Sequence, residues 1–394
     1  MAKIRHLSEI QQEIAFTEFD FYQRYTKTFK TSELGRIKSH LPLREMAISF
    51  NLAEERPMHK RVKRGRKSFF TPEGKVALAF LKMYTGLSAP KLMEALNGNI
   101  HYQIFCGIRI SPENQLTNYK LIDGILLELS RKLKVQEQQK VLADAWKPYM
   151  KNLDTVYTDA SCYESLMRFP TDVKLLWECT VRAYKMVRGK ENKTVKFGAK
   201  CNNILIDGIS FIEKVSFNAF NEGTRLRHCI SLAQKLTGVP VKKVGGDQGY
   251  SGNDNRTFCK DNKIETSFTQ KGRTGMDEVK NATKRELARV RATAMEGSFG
   301  TQKEHYGLRK IAARIKSTEI MLIFFGIHTA NVVNLARRES SSFLSQPDVL
   351  RMESNFTGVV ASDVKENENI GREIRADDRK NDEVNQKNRG NSAC

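Results

Sequence analysis

The chain has 394 residues, enough for about two domains, and its 66 Lys and Arg against 45 Asp and Glu give a formal charge of +21. This positive charge indicates a polyanionic partner, either nucleic acid or an anionic membrane surface. A membrane span is not expected, because the most apolar stretch, Ile320 to Val333, is shorter than the roughly 18 to 20 residues a bilayer needs and contains His328 and Asn331. The first residues have no signal-peptide pattern, so we expect a cytoplasmic protein.

The seven cysteines are odd in number, scattered along the chain and never arranged as C-x-x-C. This distribution argues against both a zinc knuckle and a disulfide framework. We expect reduced thiols with structural roles.

A helical pattern covers the first part of the chain and predicts an all-α N-terminal domain over residues 1–145. Thr71 can cap one helix, which has proline at its first position. Ser88 can cap a second helix that stops at Gly98. Apolar side chains at helical spacing predict a third segment between residues 116 and 133.

A basic tract, HKRVKRGRK, interrupts this helical pattern at residues 59–67. Such a run can contact DNA phosphates, and its Arg-Gly-Arg core can enter a narrow minor groove. The alternative is a solvated stretch of charge without a specific partner. The candidate DNA-binding residues of the tract are Lys63, Arg64, Arg66 and Lys67.

The pattern changes after Asp154, where TVYTD has the β-branched and aromatic residues of a strand. Two further runs, KTVKFGAKCN and ILIDGISFIEKVSF, resemble paired strands, with Asp207-Gly208 as a turn or bulge. Helices and short strands then alternate, which is typical of a mixed α/β sheet. We therefore predict a second domain over residues 150–338, followed by a polar, disordered tail over residues 339–394.

Three acidic residues are candidates for the chemistry of this second domain. Asp159 is predicted to end the first strand, Asp247 to end the strand VKKVGGD, and Glu296 to lie in a helix. If the strands are neighbours, both aspartates project at one rim, and a helix packed on the sheet can bring the glutamate to them. Three carboxylates so close need a divalent cation, and oxygen ligands favour Mg²⁺ or Mn²⁺ over Zn²⁺. Taken singly, each acid could instead be a cap or turn residue.

The sequence around these acids resembles that of a known family. The segments YTDASCYESLMRFPTDVKLLWE, KVGGDQGYSGNDN and AMEGSFGTQKEHYGLRK are similar to the three catalytic blocks of DDE transposases from bacterial insertion sequences, in the group related to insertion sequence five. Upstream, YTGLSAPKLMEALNGN and FCGIRI resemble the helical N-terminal domain of the same enzymes. The likeness covers roughly Phe69 to Arg338.

The resemblance implies a ribonuclease H-like catalytic domain in which Asp159, Asp247 and Glu296 are both the catalytic residues and the ligands of two Mg²⁺ or Mn²⁺ ions. Two such ions can activate the attacking oxygen and stabilise the leaving oxygen at a phosphodiester. The implied activity is DNA transposition: binding of terminal inverted repeats, strand cleavage, and transfer of the freed 3′ end to target DNA. We expect a homodimer on DNA, because two ends must be held together, in the bacterial cytoplasm with the nucleoid.

The resemblance also suggests residues that contact DNA. Lys303 lies two helical turns after Glu296, where the family has a phosphate-binding lysine; the alternative is a solvated helix lysine. The family often has arginine four residues before the glutamate, but here that position is Ala292. We therefore favour Arg289, two turns before Glu296, over the nearby Arg291.

Two side chains near the aspartates have open roles. Tyr250 follows Asp247 closely and could either stack on a base or pack in the core. Asp172, in the sequence FPTD, could compete with one of the three acids, but we favour a cap of the helix that follows it.

Other classes of function remain as alternatives. A recombinase with a Tyr or Ser nucleophile would need an Arg/His cluster that the sequence lacks. A transposase-derived protein that binds DNA without catalysis would be indicated by the loss of a metal ligand, and none is lost. A structure-selective nuclease of the same fold would cut DNA without joining it.

Overall fold

The computed structural model describes most of the chain up to residue 344. The basic tract lies outside the described residues, so the predictions for Lys63, Arg64, Arg66 and Lys67 have no structural counterpart. The predicted tail lies outside them from residue 345 onwards. The described ranges are 4–6, 16–53, 68–166, 172–187, 198–269 and 278–344.

The N-terminal part is mainly helical, as predicted. The hydroxyl of Thr71 accepts a hydrogen bond from the backbone of Gly74 at 3.0 Å, and that helix ends before Gly86, which has a left-handed φ of 64°. Ser88 stands at the predicted start of the next helix but makes no side-chain cap. The helices are α1 (Phe16–Thr31), α2 (Glu33–Ser39), α3 (Leu43–Ser49), α4 (Pro72–Thr85), α5 (Ala89–Gly98), α6 (Ile100–Cys106), α7 (Lys120–Lys132) and α8 (Val135–Trp146).

This part is not entirely α-helical, which corrects the prediction of an all-α N-terminal domain. Strand β1 (Ile4–His6) pairs antiparallel with β2 (Ile108–Ile110) to form a two-stranded sheet. The three-residue strands are too short to show a period of two in the sequence.

A six-stranded mixed sheet follows, in the order β5-β4-β3-β6-β7, with β8 also pairing with β3. Strand β4 is antiparallel to β3 and β5, while β6 and β8 are parallel to β3 and β7 is parallel to β6. This confirms the predicted mixed α/β sheet. The strands are β3 (Thr155–Ser165), β4 (Gly198–Ile206), β5 (Ile209–Ser216), β6 (Lys243–Gly245), β7 (Glu265–Thr266) and β8 (Lys310–Ile311).

The predicted Asp207-Gly208 turn joins β4 and β5. Both residues have left-handed φ angles, 47° and 76°, as in the turns that match the twist of a two-residue hairpin. Ile206 and Ile209 are paired across it. The hairpin prediction is therefore confirmed.

Helices lie on both faces of this sheet. Thr158 of β3 contacts Cys229 on one face, while Ser161 and Tyr163 contact Lys303 and Gln302 on the other. The helices are α9 (Asp172–Val187), α10 (Leu226–Thr237), α11 (Asn253–Asp261), α12 (Glu278–Val290), α13 (Glu296–His305) and α14 (Lys316–Leu344), with a π-helical segment at Arg291–Met295 between α12 and α13.

One hydrophobic core runs through the helical part and the sheet. Residues 1–336 form one compact unit, and their core includes Phe50 and Phe80 from the first part of the chain with Phe211 and Phe325 from the second. The main core cluster therefore includes residues from both sides of the boundary predicted near residue 145, which stays a prediction. A second unit begins at residue 337 and is described only to residue 344.

The most apolar stretch of the sequence belongs to α14. Among the described helices, the segment Lys316–Glu339 has the length and composition to cross a membrane, but 78% of its most apolar window is buried inside the protein. This burial is consistent with the expectation that the stretch does not span a membrane.

The imidazole of His328 lies fully buried in α14 beside Trp146, Phe211 and Phe324. Burial lowers the pKa of His328 to about 3, so the side chain is neutral in the folded protein at physiological pH. In the unfolded chain a histidine binds a proton below about pH 6.5. Protonation of His328 therefore does not affect the free energy of unfolding above about pH 6.5, and the free energy of unfolding decreases as the pH falls below that value.

We predict that His328→Phe removes this pH dependence. Between pH 7.5 and 5, wild type should lose about 2 kcal/mol more of its free energy of unfolding than the variant loses. Chemical denaturation at several pH values measures the difference. Parallel curves for the two proteins would contradict the assignment.

Candidate active site

Asp159 lies in the interior of β3 and not at its end, which corrects the sequence prediction. The reason is that β3 has different partners on its two sides. On one side β4 pairs with it as far as Glu164, whereas on the other side β6 pairs only as far as Tyr157. Asp159 therefore follows the point at which the parallel pairing with β6 stops.

Asp247 comes two residues after β6, at the start of a 3-10 turn (Gln248–Tyr250). Its Oδ1 accepts a hydrogen bond from the backbone of Gly249 at 2.9 Å. The register pairs Tyr157 with Gly245; Asp159 lies two residues further along β3, and Asp247 lies two residues beyond the end of β6, which corrects the prediction that it ends the strand. The predicted adjacency of the two strands is confirmed, and it brings the aspartates to the same end of β6.

The carboxyl group of Asp159 lies among charged and polar groups. Burial raises its pKa, opposed by a hydrogen bond from the backbone of Ala160 and by the guanidinium of Arg291. The negative charges of Asp247 and Glu222 raise the pKa further. The two aspartates are thus close enough to repel each other, as expected of carboxylates that share a cation.

Arg291 is the arginine that reaches this site. Its Nη1 lies 2.8 Å from Oδ2 of Asp159, and each side chain is only 20% exposed. Arg289, which the spacing favoured, is exposed on the helix surface. The sequence argument assumed a regular α-helix, but the π-helical segment Arg291–Met295 changes the spacing before Glu296.

Glu296 begins α13 and its side chain is exposed. Within the described residues, no group of three or more His, Cys, Asp and Glu side chains is arranged to hold a metal ion. The predicted carboxylate triad is therefore not assembled in this conformation, although the helix that carries Glu296 lies on the sheet.

Lys303 lies two turns further along the same helix and contacts β3. Its Nζ donates a hydrogen bond to Oγ of Ser161 at 2.6 Å and lies near the ring of Tyr163. Side chains alternate along a strand, so Ser161 and Asp159 share one face of the sheet. The helix therefore crosses the face that carries Asp159, with Glu296 between its contacts at Arg291 and Lys303.

Tyr250 is fully buried, which corrects the suggestion that it stacks on a base. Its hydroxyl donates to Oδ1 of Asn202 at 2.6 Å and lies 3.4 Å from Oγ1 of Thr158. Tyr250 therefore packs in the core, which was the other role considered for it from the sequence. These bonds tie the turn that follows Asp247 to strand β4.

Glu222 is a further acid at the site that the sequence did not suggest. It begins a 3-10 turn that packs against the turn after Asp247, and its Oε2 lies 2.8 Å from Nζ of Lys200. Asn255 joins the two turns by donating to the carbonyl oxygens of Gly223 and Tyr250, at 2.7 and 2.9 Å. No motif around Glu222 indicated this placement, because it depends on contacts between distant segments.

Gly223 has a steric role in this contact. A Cβ atom at this position would lie 2.2 Å from the carbonyl oxygen of Gly249, a distance that neither backbone could accept without moving. The close approach of the two turns therefore requires glycine at position 223.

The donor atoms at this rim have the chemistry of a site for a hard divalent cation. Asp159 and Asp247 supply carboxylate oxygens from adjoining segments, and the Oδ2 atom of Asp159 already attracts a cationic group. The described cysteines are free thiols, and burial raises the pKa of Cys201 and of Cys229, which disfavours thiolate ligands here. The residues present therefore fit Mg²⁺ or Mn²⁺.

Two families of known domains match this chain. Residues 244–336 match the family described as Transposase DDE domain, and residues 23–122 match the family described as Transposase domain (DUF772). The first range contains Asp247, Arg291, Glu296 and Lys303 but not Asp159. Searches of the curated proteins and of the solved structures gave no match.

We predict that Tyr250→Phe lowers the free energy of unfolding by about 1 to 3 kcal/mol, because the buried Oδ1 of Asn202 loses its donor. Denaturation of wild type and variant measures this difference. The matched variant Tyr149→Phe removes a hydroxyl from a side chain that is 49% exposed, and it should change stability much less. Equal stability of Tyr250→Phe and wild type would contradict the structural role.

Proposed function

We propose that the chain is a transposase that moves its own insertion sequence, and the two family matches support this proposal. In this proposal the protein binds the terminal inverted repeats, cleaves DNA at the ends of the element, and joins the freed ends to target DNA. The observation that carries the proposal is the placement of the two aspartates beside adjoining parallel strands, Asp159 within β3 and Asp247 just after β6, with Asp247 inside the matched DDE domain.

The proposed metal ligands are Asp159, Asp247 and Glu296. When bound, two Mg²⁺ or Mn²⁺ ions would activate the attacking oxygen and stabilise the leaving oxygen of the phosphodiester. Backbone hydrogen bonds to the Oδ1 atoms of Asp159 and Asp247 fix the orientation of both carboxylates. Tyr250 and Asn255 hold the turn that carries Asp247, so the protein contributes position and charge.

Binding of DNA is proposed to use cationic groups beside the carboxylates. Lys303 is half-buried against β3 on the face of Asp159, and Arg289 is exposed on α12. The net charge of +21 supplies a wider attraction for polyanions. The basic tract at residues 59–67 is proposed as a further DNA contact on its sequence alone.

Joining two ends of an element requires that both ends be held in one complex. We therefore propose a homodimer on DNA, acting in the bacterial cytoplasm at the nucleoid. The proposal rests on the logic of the reaction, in which each end needs its own set of ligands.

One observation favours a second candidate function. Glu296 is exposed and not grouped with the aspartates, as would be expected of a transposase-derived protein that binds DNA without cutting it. A nuclease that cuts but does not join would use the same residues. The products formed on DNA distinguish each of these two alternatives from a transposase.

We predict that Glu296→Gln abolishes cleavage and joining while DNA binding remains. The substrate is a labelled duplex ending in the element's terminal repeat, with target DNA, in Mg²⁺ or Mn²⁺. Loss of one carboxylate ligand should lower the rate by about 100-fold or more. The matched variant Glu304→Gln changes the same kind of side chain, 55% exposed on α13, and should retain activity.

Each outcome of this experiment selects one function. Nicking at the repeat end followed by joining, in wild type only, supports the transposase mechanism. Nicking without joining favours the nuclease, and binding without cutting by wild type favours the DNA-binding protein. Equal cutting by wild type and Glu296→Gln would show that Glu296 is not a ligand.

We predict that Lys303→Gln weakens binding to repeat DNA and reduces the slope of log K against log salt concentration by about 1, because one phosphate contact is lost. Fluorescence anisotropy at several salt concentrations measures the slope. Lys140→Gln removes the same charge from an exposed position on α8 and should leave the slope unchanged. An unchanged slope for Lys303→Gln would assign this lysine to packing against β3.

A further inference from the structure

The carboxylate of Asp159 forms an ion pair with a cationic side chain of the same protein, the guanidinium of Arg291. Its Oδ1 is engaged by the backbone of Ala160 at 2.8 Å, and its Oδ2 contacts Nη1 of Arg291 at 2.8 Å. Both side chains of the ion pair are 20% exposed, so solvent screens the attraction less than at an open surface. Oδ2 is thus shared between Arg291 and any metal ion that Asp159 binds.

Arg291 begins the π-helical segment Arg291–Met295, and Glu296 follows it directly. A π-helix pairs residues five apart, whereas an α-helix pairs residues four apart. Arg291 and Glu296 are five residues apart, so the π segment between them sets the angle at which the two side chains leave the helix. In an uninterrupted α-helix, residues five apart would point about 140° away from each other.

The helix is fixed to the sheet on both sides of this segment. Before it, Leu287 is buried, and its carbonyl oxygen lies close to Gly245 of β6. After it, Gln302 accepts a hydrogen bond from the hydroxyl of Tyr163 at 2.6 Å, and Lys303 contacts Ser161. A change in the direction of Arg291 is therefore most easily accommodated within the π segment.

We propose that Arg291 is a placeholder for the metal: its guanidinium neutralises Asp159 until a divalent cation takes Oδ2. This inference rests on the proposed function, because it assumes that Asp159 is a metal ligand. Metal and guanidinium compete for the same oxygen, and mutual repulsion disfavours both together. Relaxation of the π segment to α-helix withdraws Arg291 and changes the direction of the chain at Glu296.

The experiment is a titration of the full-length protein with Mn²⁺, followed by calorimetry, without DNA. Arg291→Gln removes the competing cation and should tighten Mn²⁺ binding by about tenfold. Arg285→Gln removes the same charge from an exposed position on α12, six residues earlier, and should bind Mn²⁺ as wild type does. Mn²⁺ binding by Arg291→Gln that equals wild type, or is weaker, overturns the proposal.

A second measurement uses wild type alone and does not depend on the folding of a variant. Hydrogen exchange of the backbone amides at 291–296 should change when Mn²⁺ is added, while the amides of α10 should not change. Identical exchange at 291–296 with and without Mn²⁺ overturns the proposal, because Arg291 would then not move.

The variant Asp159→Asn separates this inference from the proposed function. If wild type binds Mn²⁺ and Asp159→Asn does not, Asp159 is a ligand, and the result for Arg291→Gln decides the placeholder role. If Asp159→Asn binds Mn²⁺ as wild type does, the metal site itself is wrong, and the placeholder role fails with it.

Discussion

The unequal pairing of β3 on its two sides is the constraint on which the site depends. β4 accompanies β3 along most of its length, but β6 leaves it after Tyr157, and β8 joins only at Glu164. Between these points β4 alone among the described strands continues the hydrogen-bond ladder of β3. Asp159 lies in this interval, where side chains of a crossing helix contact the strand. A carboxylate within a paired strand has a fixed direction that a loop residue would lack.

Acidic side chains around β3 and β4 are compensated by cations within the protein. Asp159 pairs with Arg291, Glu222 with Lys200, and the nearly buried Glu213 with Arg225. Removing charges from water is costly unless partners with good geometry replace the hydration. Part of the positive charge of the chain therefore balances acidic groups within the fold, in addition to the attraction that a net charge of +21 exerts on polyanions.

Local signals predicted the local parts of the structure. The cap at Thr71, the hairpin at Asp207-Gly208 and the adjacency of the two aspartate strands were all readable from residue types and their order. The position of Asp159 within its strand was not readable, because it depends on how far distant strands pair with β3. The role of Arg291 was also missed, because a π segment has no sequence periodicity of its own. The burial of Tyr250 depends on Asn202, a partner 48 residues away.

The outer edge of β5 shows how the sheet is bounded on one side. The side-chain amide of Gln139 bonds the backbone N–H and C=O of Ile212, and that of Asn331 does the same at Ser210. Each amide thus occupies the groups that a further strand would use. A second copy of the protein consequently cannot extend the sheet at β5. If two copies of the chain associate, they therefore have to use other surfaces, and their sheets remain separate at this edge.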